Sequence, residues 1–352
     1  MDSNSEWYLV DNIDELDSPA LLLYAERIRE NIRLVTGMVK HVSKLRPHVK
    51  TSKISEVCEM MLHQGITLFK CATIAEAEML ALIQAPDVLL AYQPVGPKVS
   101  RFINLIQTYP NTRFSCLVDN VETARIISRA ATENSLAIEV FIDLNIGMNR
   151  TGFAIAEALP FIERVALMEG LTITGLHAYD GHVKETDMQL RQQQSDAVFS
   201  GVHALHEQLE ARLNRPLKIV IGGSPTFPTH AAREHVECSP GTFVFWDWGY
   251  SRLLPDEPFG FAALVITRVI SIVGAHTICT DLGYKAVSAE SPLPRVHFLN
   301  APDAVPVGHS EEHLVISVPD SSRYQPGDVL YGVPIHVCPT VSLYDVANVV
   351  EG

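Results

Sequence analysis

The feature that most constrains this chain is a repeated alternation of short apolar runs with stretches of helical periodicity. Runs rich in β-branched and aromatic residues occur at 42–49, 66–71, 88–92, 113–118, 138–144, 171–177, 217–221 and 236–238. Most gaps between them place apolar residues at helix spacing. In 54–62, Ile54, Val57, Cys58 and Met61 recur on one face while Ser55, Glu56 and Glu59 point away. Segments 75–82 and 120–131 repeat the pattern, and 185–214 is the longest such stretch. Strands that alternate with helices pair in parallel through right-handed crossovers. Eight of them within roughly 200–250 residues match a (β/α)8 barrel. An open doubly wound sheet is the competing arrangement; it usually needs fewer units, and no G-x-G-x-x-G opens the first one. The expected fold class is therefore α/β, a TIM-type barrel.

After Trp248 the rhythm changes. Short apolar runs at 261–273, 276–280, 295–299, 313–318, 329–332 and 336–341 are separated by turn chemistry such as Pro326-Gly327-Asp328, with no long helical pattern between them. This reads as an appended C-terminal β-rich domain. The expected boundaries are 20–250 for the barrel and 1–19 with 251–352 for the β-rich domain, because the barrel's pattern begins near Pro19. No internal repeat is present.

Composition excludes several partners. Hydrophobic residues at 47% and charged residues at 19% provide a core without a disorder signature. A net charge of -14 argues against nucleic acid, whose phosphates call for clustered Lys and Arg. The 6 cysteines lack a framework spacing and suit free thiols in a reducing compartment. The acidic N-terminus has no signal-peptide pattern, and no apolar run approaches the roughly 18 residues of a membrane span. A cytoplasmic protein is expected.

In a barrel, chemistry sits at the carboxyl ends of the strands. Lys50 falls there, in Arg46-Pro47-His48-Val49-Lys50-Thr51-Ser52-Lys53. A Schiff-base lysine needs a nearly dry position and basic neighbours, and Arg46, His48 and Lys53 are candidates for that field; Lys50 and Lys53 equally suit an exposed loop. Gly222-Gly223-Ser224-Pro225-Thr226 ends the seventh run, where adjacent glycines and a following helix suit an anion or a plain turn. Arg150, after the fifth run, is placed to donate to a phenolate or carboxylate. His177-Ala178-Tyr179-Asp180-Gly181-His182 gathers acid-base groups after the sixth; capping and salt bridges are the bland alternative for both. In an extended strand His336 and Cys338 share a face, so imidazole and thiolate could bind one ion, zinc by preference. A buried thiol beside a satisfied histidine reads equally well.

RPHVKTSK, DLNIGMNRTGF, GLHAYDGH, GGSPT, DLGYKA, GHSEEH and HVCPT, in this order, resemble the D-threonine aldolase and D-serine dehydratase family, whose members combine an alanine-racemase-type barrel with a β domain. The resemblance runs from about Asp17 to Val341. RPHxK and HxCPT are its specific motifs, and the glycine pair is generic. It implies pyridoxal 5'-phosphate on Lys50, with Arg150 near the cofactor's phenolic oxygen and Gly222, Gly223 and Ser224 at its phosphate. It places Tyr179 and His182 in the active site and a divalent metal on His336 and Cys338 (zinc, with manganese or magnesium as alternatives). It further implies a homodimer whose substrate is a D-β-hydroxy amino acid, with Tyr284, Lys285, Glu312 and His313 near a shared site; Asp281 and Lys285 equally suit a structural ion pair. The sequence departs from the pattern at Ser52, where many members carry His, and at Cys338, where some aldolases carry Asp. The implied activity is D-threonine cleavage to glycine and acetaldehyde, with D-serine or D-3-hydroxyaspartate dehydration as the alternative. Racemisation needs no metal for a hydroxyl, and a non-catalytic cofactor carrier resembles the barrel alone.

Overall fold

The computed structural model describes residues 6–351, so residues 1–5 and 352 of the expected β-rich domain lie outside the described residues. Contacts divide the chain into two units. One runs from Ile32 to Gly241; the other joins the segment up to Asn31 with the segment from Thr242 onward.

In the first unit, Leu68–Cys71, Asp87–Leu90, Arg113–Val118, Ile138–Asn145, Leu171–Ala178, Lys218–Ile221 and Val236–Cys238 align in chain order as one parallel sheet. Parallel strands covered by helices are buried on both faces, which is why these runs are nearly continuous in apolar residues. The helices between them begin where side chains satisfy first-turn amides. Thr73 Oγ1 accepts from Glu76 N at 3.1 Å while Glu76 reaches back to Ala72 N at 2.7 Å. Asn120 accepts from Thr123 N, and Asp187 accepts from the amides of Gln189 and Leu190.

The run at 42–49 is not the regular strand expected of it. Val42–Lys44 is a 3-10 turn, and only Leu45 and His48 make parallel bridges, to Cys238 and Lys70. Pro47 lies between them without an N–H and cannot sustain a ladder. The segment still joins the two edges of the sheet: Arg46 N donates to Cys238 O (2.8 Å), His48 N to Pro240 O (3.0 Å) and Val49 N to Lys70 O (2.9 Å). It is the eighth stave, and it closes the barrel.

Closure is reinforced by charge. The Arg46 side chain is 1% exposed and bonds Glu237 at 2.6 Å, Asp87 at 2.6 Å and Phe69 O at 3.2 Å. Arg113 bonds the second oxygen of Asp87 at 2.8 Å, and Lys218 pairs with Glu237. Further along the same strands Leu89, Leu117, Phe141 and Val220 form an apolar layer. Asp143 and Gly222, two residues beyond Phe141 and Val220, begin the mouth.

The second unit is a mainly antiparallel sheet in the order Val296–Phe298, Val329–Pro334, Ala263–Gly274, Thr277–Thr280, Leu314–Ser317, Val305–His309. Ala20–Tyr24 pairs antiparallel with Ala263–Gly274 and parallel with Asn348–Val350. Tyr8, Leu22, Tyr24, Leu264, Ile266, Tyr331 and Val333 form a core cluster, in which Tyr24 Oη donates to Tyr8 O at 2.6 Å. The strand Val305–His309 was not anticipated: Val305 and Val307 are exposed and Pro306 interrupts the run, which hides it from hydropathy. The run at 336–341 is not a strand either. Val337–Val341 is a short helix with His336 at its N-cap, following the strand end at Pro334. Among the described residues no helix is long and apolar enough to cross a membrane.

The charge cluster yields a stability prediction. Burial pushes the Asp87 carboxyl up, but Arg46 and Arg113 outweigh it and hold it below the usual range. Its contribution is therefore complete above the unfolded value of about 3.9 and is lost as pH falls through the lower folded value. Arg46→Ala leaves two buried carboxylates short of a partner and is expected to cost about 3–5 kcal/mol in urea unfolding at neutral pH. Wild-type stability in this variant would show that the cluster does not close the barrel.

Candidate active site

The mouth of the barrel is built by the residues that follow each strand. Lys50 comes immediately after the closing stave and is exposed, in contrast to the nearly dry position expected for it. Its backbone N–H donates to His48 Nδ1 at 3.3 Å. Of the three basic neighbours expected around it, Arg46 is committed to Asp87 and Glu237 below, and Lys53 pairs with Glu76 at 3.0 Å. His48 remains beside it. Burial, then the charges of Lys70 and Lys50, lower its imidazole well below the usual value.

Tyr179 is the hub of the mouth. Arg150 Cζ lies 5.2 Å from its ring centroid and Lys70 Nζ 5.8 Å from it. The ring fits because two neighbours lack side chains: a Cβ at Gly181 would stand 2.4 Å from it, and one at Gly223 3.0 Å. His182 is fitted in the same way against Gly147, where a Cβ would meet its ring at 2.4 Å.

Gly222 adopts φ +86°, a conformation that side chains resist. The carbonyls of the glycine pair are engaged elsewhere, Gly222 O by Ser239 N at 2.9 Å and Gly223 O by Phe227 N at 2.8 Å. Ser224 Oγ accepts from Gly241 N at 3.4 Å. The helix that follows, Phe227–Ala231, is a single short turn, so the anion-binding character expected here rests on the glycine backbone rather than on a helix end. A turn with its acceptors committed elsewhere, a guanidinium, two amines and a phenol form a donor set that fits a phosphorylated aldehyde cofactor.

Two features of the mouth were not read from sequence: the pairing of Asp143 with His177, itself noted in the acid-base run 177–182, and Lys70. Asp143 and His177 are register partners on adjacent strands, and Asp143 Oδ1 meets His177 Nδ1 at 2.7 Å. Gln93 Nε2 holds the other oxygen of Asp143 and Oδ2 of Asp119, both at 2.9 Å. Burial lowers the His177 imidazole below its usual value against the pull of Asp143, so the neutral ring donates from Nδ1 to that carboxylate. The second is Lys70, whose sequence signal was one charge inside the apolar run ITLFKCA. It is 3% exposed, and burial followed by the charge of Lys50 brings its ammonium down to about 7. Asp180, by contrast, serves the framework: it is fully buried and bonds His230 Nε2 at 2.8 Å.

The remaining expected site lies in the second unit. His336 Nδ1 meets Glu290 Oε1 at 2.6 Å, and Cys338 Sγ lies 3.6 Å from Thr242 Oγ1. A hydrogen bond with Cys338 raises the His336 imidazole to about 9 in spite of burial, with Glu290 adding to it. Imidazole and thiol are thus brought together by the strand-to-helix turn, with Asp247 Oδ2 accepting from Val337 N at 3.0 Å between them. Glu290 is far away in sequence and was not anticipated. Among the described residues no group of three or more His, Cys, Asp or Glu is placed to hold a metal ion. The pair nevertheless fits a two-ligand site, since Glu290 fixes the ring at Nδ1 and leaves Nε2 beside the thiol. Of the other motif residues, Lys285 pairs with Glu311 at 2.8 Å and Glu312 at 3.0 Å. Asp281 instead accepts from Ser18, Thr267 and Arg268, so the ion pair considered between Asp281 and Lys285 does not form.

Comparison with known proteins agrees with this architecture. Residues 24–247 match the family described as alanine racemase, N-terminal domain, and residues 262–350 match a putative serine dehydratase domain. The D-threonine aldolase of Arthrobacter sp is 26% identical over 343 residues, 95% of this chain and 89% of that protein. The D-threo-3-hydroxyaspartate dehydratase of Delftia sp. (strain HT23) is 25% identical over 363 residues, 94% and 93% of the two chains. The solved structure of the D-threonine aldolase from Filomicrobium marinum superimposes with a TM-score of 0.85 at 26% identity, covering 96% of this chain and 92% of that one. The chain therefore belongs to the alanine racemase N-terminal-domain family, on the branch that joins this barrel to a serine dehydratase-type β domain and includes D-threonine aldolases and hydroxyaspartate dehydratases.

Proposed function

We propose that this protein is a pyridoxal-phosphate- and divalent-metal-dependent lyase of D-β-hydroxy amino acids, acting first as a D-threonine aldolase that yields glycine and acetaldehyde. The observation that carries this reading is that one chain holds both kinds of machinery. Lys50 stands in a cation-rich barrel mouth, and His336 beside Cys338 in the other unit, in a chain similar to such lyases over nearly its whole length.

When bound, pyridoxal phosphate supplies an electron sink for the pair released at Cα. Lys50 would carry it, the Gly222-Gly223-Ser224 turn would receive its phosphate, and Arg150 would donate to its phenolic oxygen. Tyr179, seated on Gly181 and Gly223, would hold it laterally. In the aldolase reading His182 removes the proton of the substrate hydroxyl as the Cα–Cβ bond breaks. A divalent metal would be held by His336 and Cys338 and would supply Lewis acidity; zinc suits the donor set best, with manganese and magnesium less suited to a sulfur ligand.

The dehydratase reading has its own support, in the presence of a cysteine at 338 and in the match of residues 262–350. There Lys50 takes the Cα proton and the hydroxyl leaves, giving a keto acid and ammonia. Racemase and cofactor-carrier readings lack a use for the His336–Cys338 pair. By the same family relation we propose a homodimer working in the cytoplasm, where its free cysteines stay reduced.

Product analysis of the purified protein, supplied with pyridoxal phosphate and zinc or manganese, separates the readings. D-Threonine is expected to give glycine and acetaldehyde without keto acid. Pyruvate and ammonia from D-serine instead would establish the dehydratase, and neither product would sink the lyase claim. Lys50→Ala is expected to abolish the visible absorbance of bound cofactor; if the absorbance persists, another residue carries it. Glu290→Gln, which loosens the His336 ring, is expected to weaken metal affinity about 10–100-fold in a chelator competition. An unchanged affinity would show that Glu290 does not orient the ligand.

A further inference from the structure

The helix that follows the glycine turn carries a wholly buried histidine. His230 and Asp180 are both 0% exposed, and His230 Nε2 meets Asp180 Oδ2 at 2.8 Å. Arg233 Nη1 stands 2.6 Å from His230 Nδ1. A guanidinium can only donate, so Nδ1 is the acceptor, and the ring's hydrogen stands on Nε2 and is given to Asp180. Ser195 Oγ lies 3.1 Å from the same Nε2 and 2.6 Å from Thr229 Oγ1, which donates to Thr226 O at 2.7 Å. One connected set of bonds therefore runs from Arg233 through His230 to Asp180, with a branch back to the turn. Buried networks of this kind rigidify the segments they join.

Both partners of the central bond lead to the mouth. Asp180 follows Tyr179 in the chain, so its carboxylate anchors the loop that carries that ring. His230 belongs to the short helix Phe227–Ala231, which closes on the turn: Phe227 N donates to Gly223 O at 2.8 Å and His230 N to Thr226 O at 3.2 Å. The His230 side chain also lies against Gly222, where a Cβ would come within 3.2 Å of it. Gly223 lies against the Tyr179 ring, at 3.0 Å by the same measure. The glycine pair is thus bounded by two rings, and the Asp180–His230 bond ties together the segments that carry them. Pyridoxal phosphate has a nearly fixed length from phosphate to ring, so the span from the turn to Tyr179 must match it.

We propose that His230 is a positioning residue for the cofactor's phosphate: through Asp180 it holds the Gly222-Gly223-Ser224 turn at the spacing from Tyr179 that the phosphorylated cofactor requires. His230 acts without touching the ligand. This inference rests on the reading of that turn as the phosphate seat.

The test compares the affinities of cofactor-free protein for pyridoxal phosphate and for pyridoxal, which shares the aldehyde and lacks the phosphate. His230→Leu and Asp180→Ala remove the bond from either side, and circular dichroism checks their folding. Each is expected to weaken pyridoxal phosphate by about tenfold or more, the worth of one charge-assisted hydrogen bond, and to leave pyridoxal nearly unchanged. A general loosening of the fold would weaken both ligands alike. His230→Gln, which keeps an N–H within reach of Asp180, is expected to restore most of the preference. An unmoved ratio in a folded His230→Leu or Asp180→Ala protein would overturn the proposal, as would a His230→Gln ratio that falls as far as that of His230→Leu. Hydrogen exchange of the wild type needs no variant. Saturating inorganic phosphate is expected to slow exchange in 222–231 and 179–183 together, and slowing confined to 222–226 would also overturn it. Gly222→Ala, strained at φ +86°, keeps the two claims separate. If it abolishes the preference while the His230 variants retain it, the role of His230 alone falls; if none of them alters it, the turn is not the phosphate seat.

Discussion

Barrel closure in this protein depends on a buried arginine. A parallel barrel needs every stave hydrogen-bonded on both sides, yet the segment that closes this one contains Pro47 and makes only two bridges. Arg46 compensates by reaching Glu237 on one side and Asp87 and Phe69 on the other. Burying these charges is tolerable because each has partners within hydrogen-bonding distance, with Arg113 and Lys218 completing the set. His48 and Lys50 reach the mouth only because that floor holds their backbone in place.

The two-residue period of a strand then arranges the interior by level. Asp87 is followed by Leu89, Lys218 by Val220 and Gly222, and Glu139 by Phe141 and Asp143. The apolar layer of Leu89, Leu117, Phe141 and Val220 stands between the charges of the floor and the groups of the mouth. Above it the mouth is rich in cations. Asp143 in the mouth and Asp180 in the framework beside it are each bound to a histidine, and among the described residues Arg150, Lys50 and Lys70 have no acidic partner. That imbalance is what an anionic cofactor would correct.

The second unit reaches its candidate site by other means. His336 and Cys338 lie where a strand turns into a single helical turn, and Glu290 comes from a separate loop to fix the imidazole. Asp247 secures the same turn through Val337 N, and burial pushes its carboxyl up to about 6. The pairing of donors thus depends on the turn rather than on strand alternation.

Much of this was legible in the residues themselves. The alternation of apolar runs with helical periodicity specified a barrel and a β-rich module, because burial on both faces and at helix spacing leaves a direct mark on composition. Lys50, Arg150, Tyr179 and the glycine pair stood out because each follows a strand, where a barrel opens. Local sequence could not reveal pairs set by register: Asp143 with His177, Lys70 beneath Tyr179, Glu290 on His336. Nor could it show that Arg46 and Lys53 were already engaged, or that residues 337–341 form a helix. Periodicity is a property of neighbours along the chain, whereas partnership across a barrel depends on which strands lie side by side and how far each is shifted, and only the folded chain decides that.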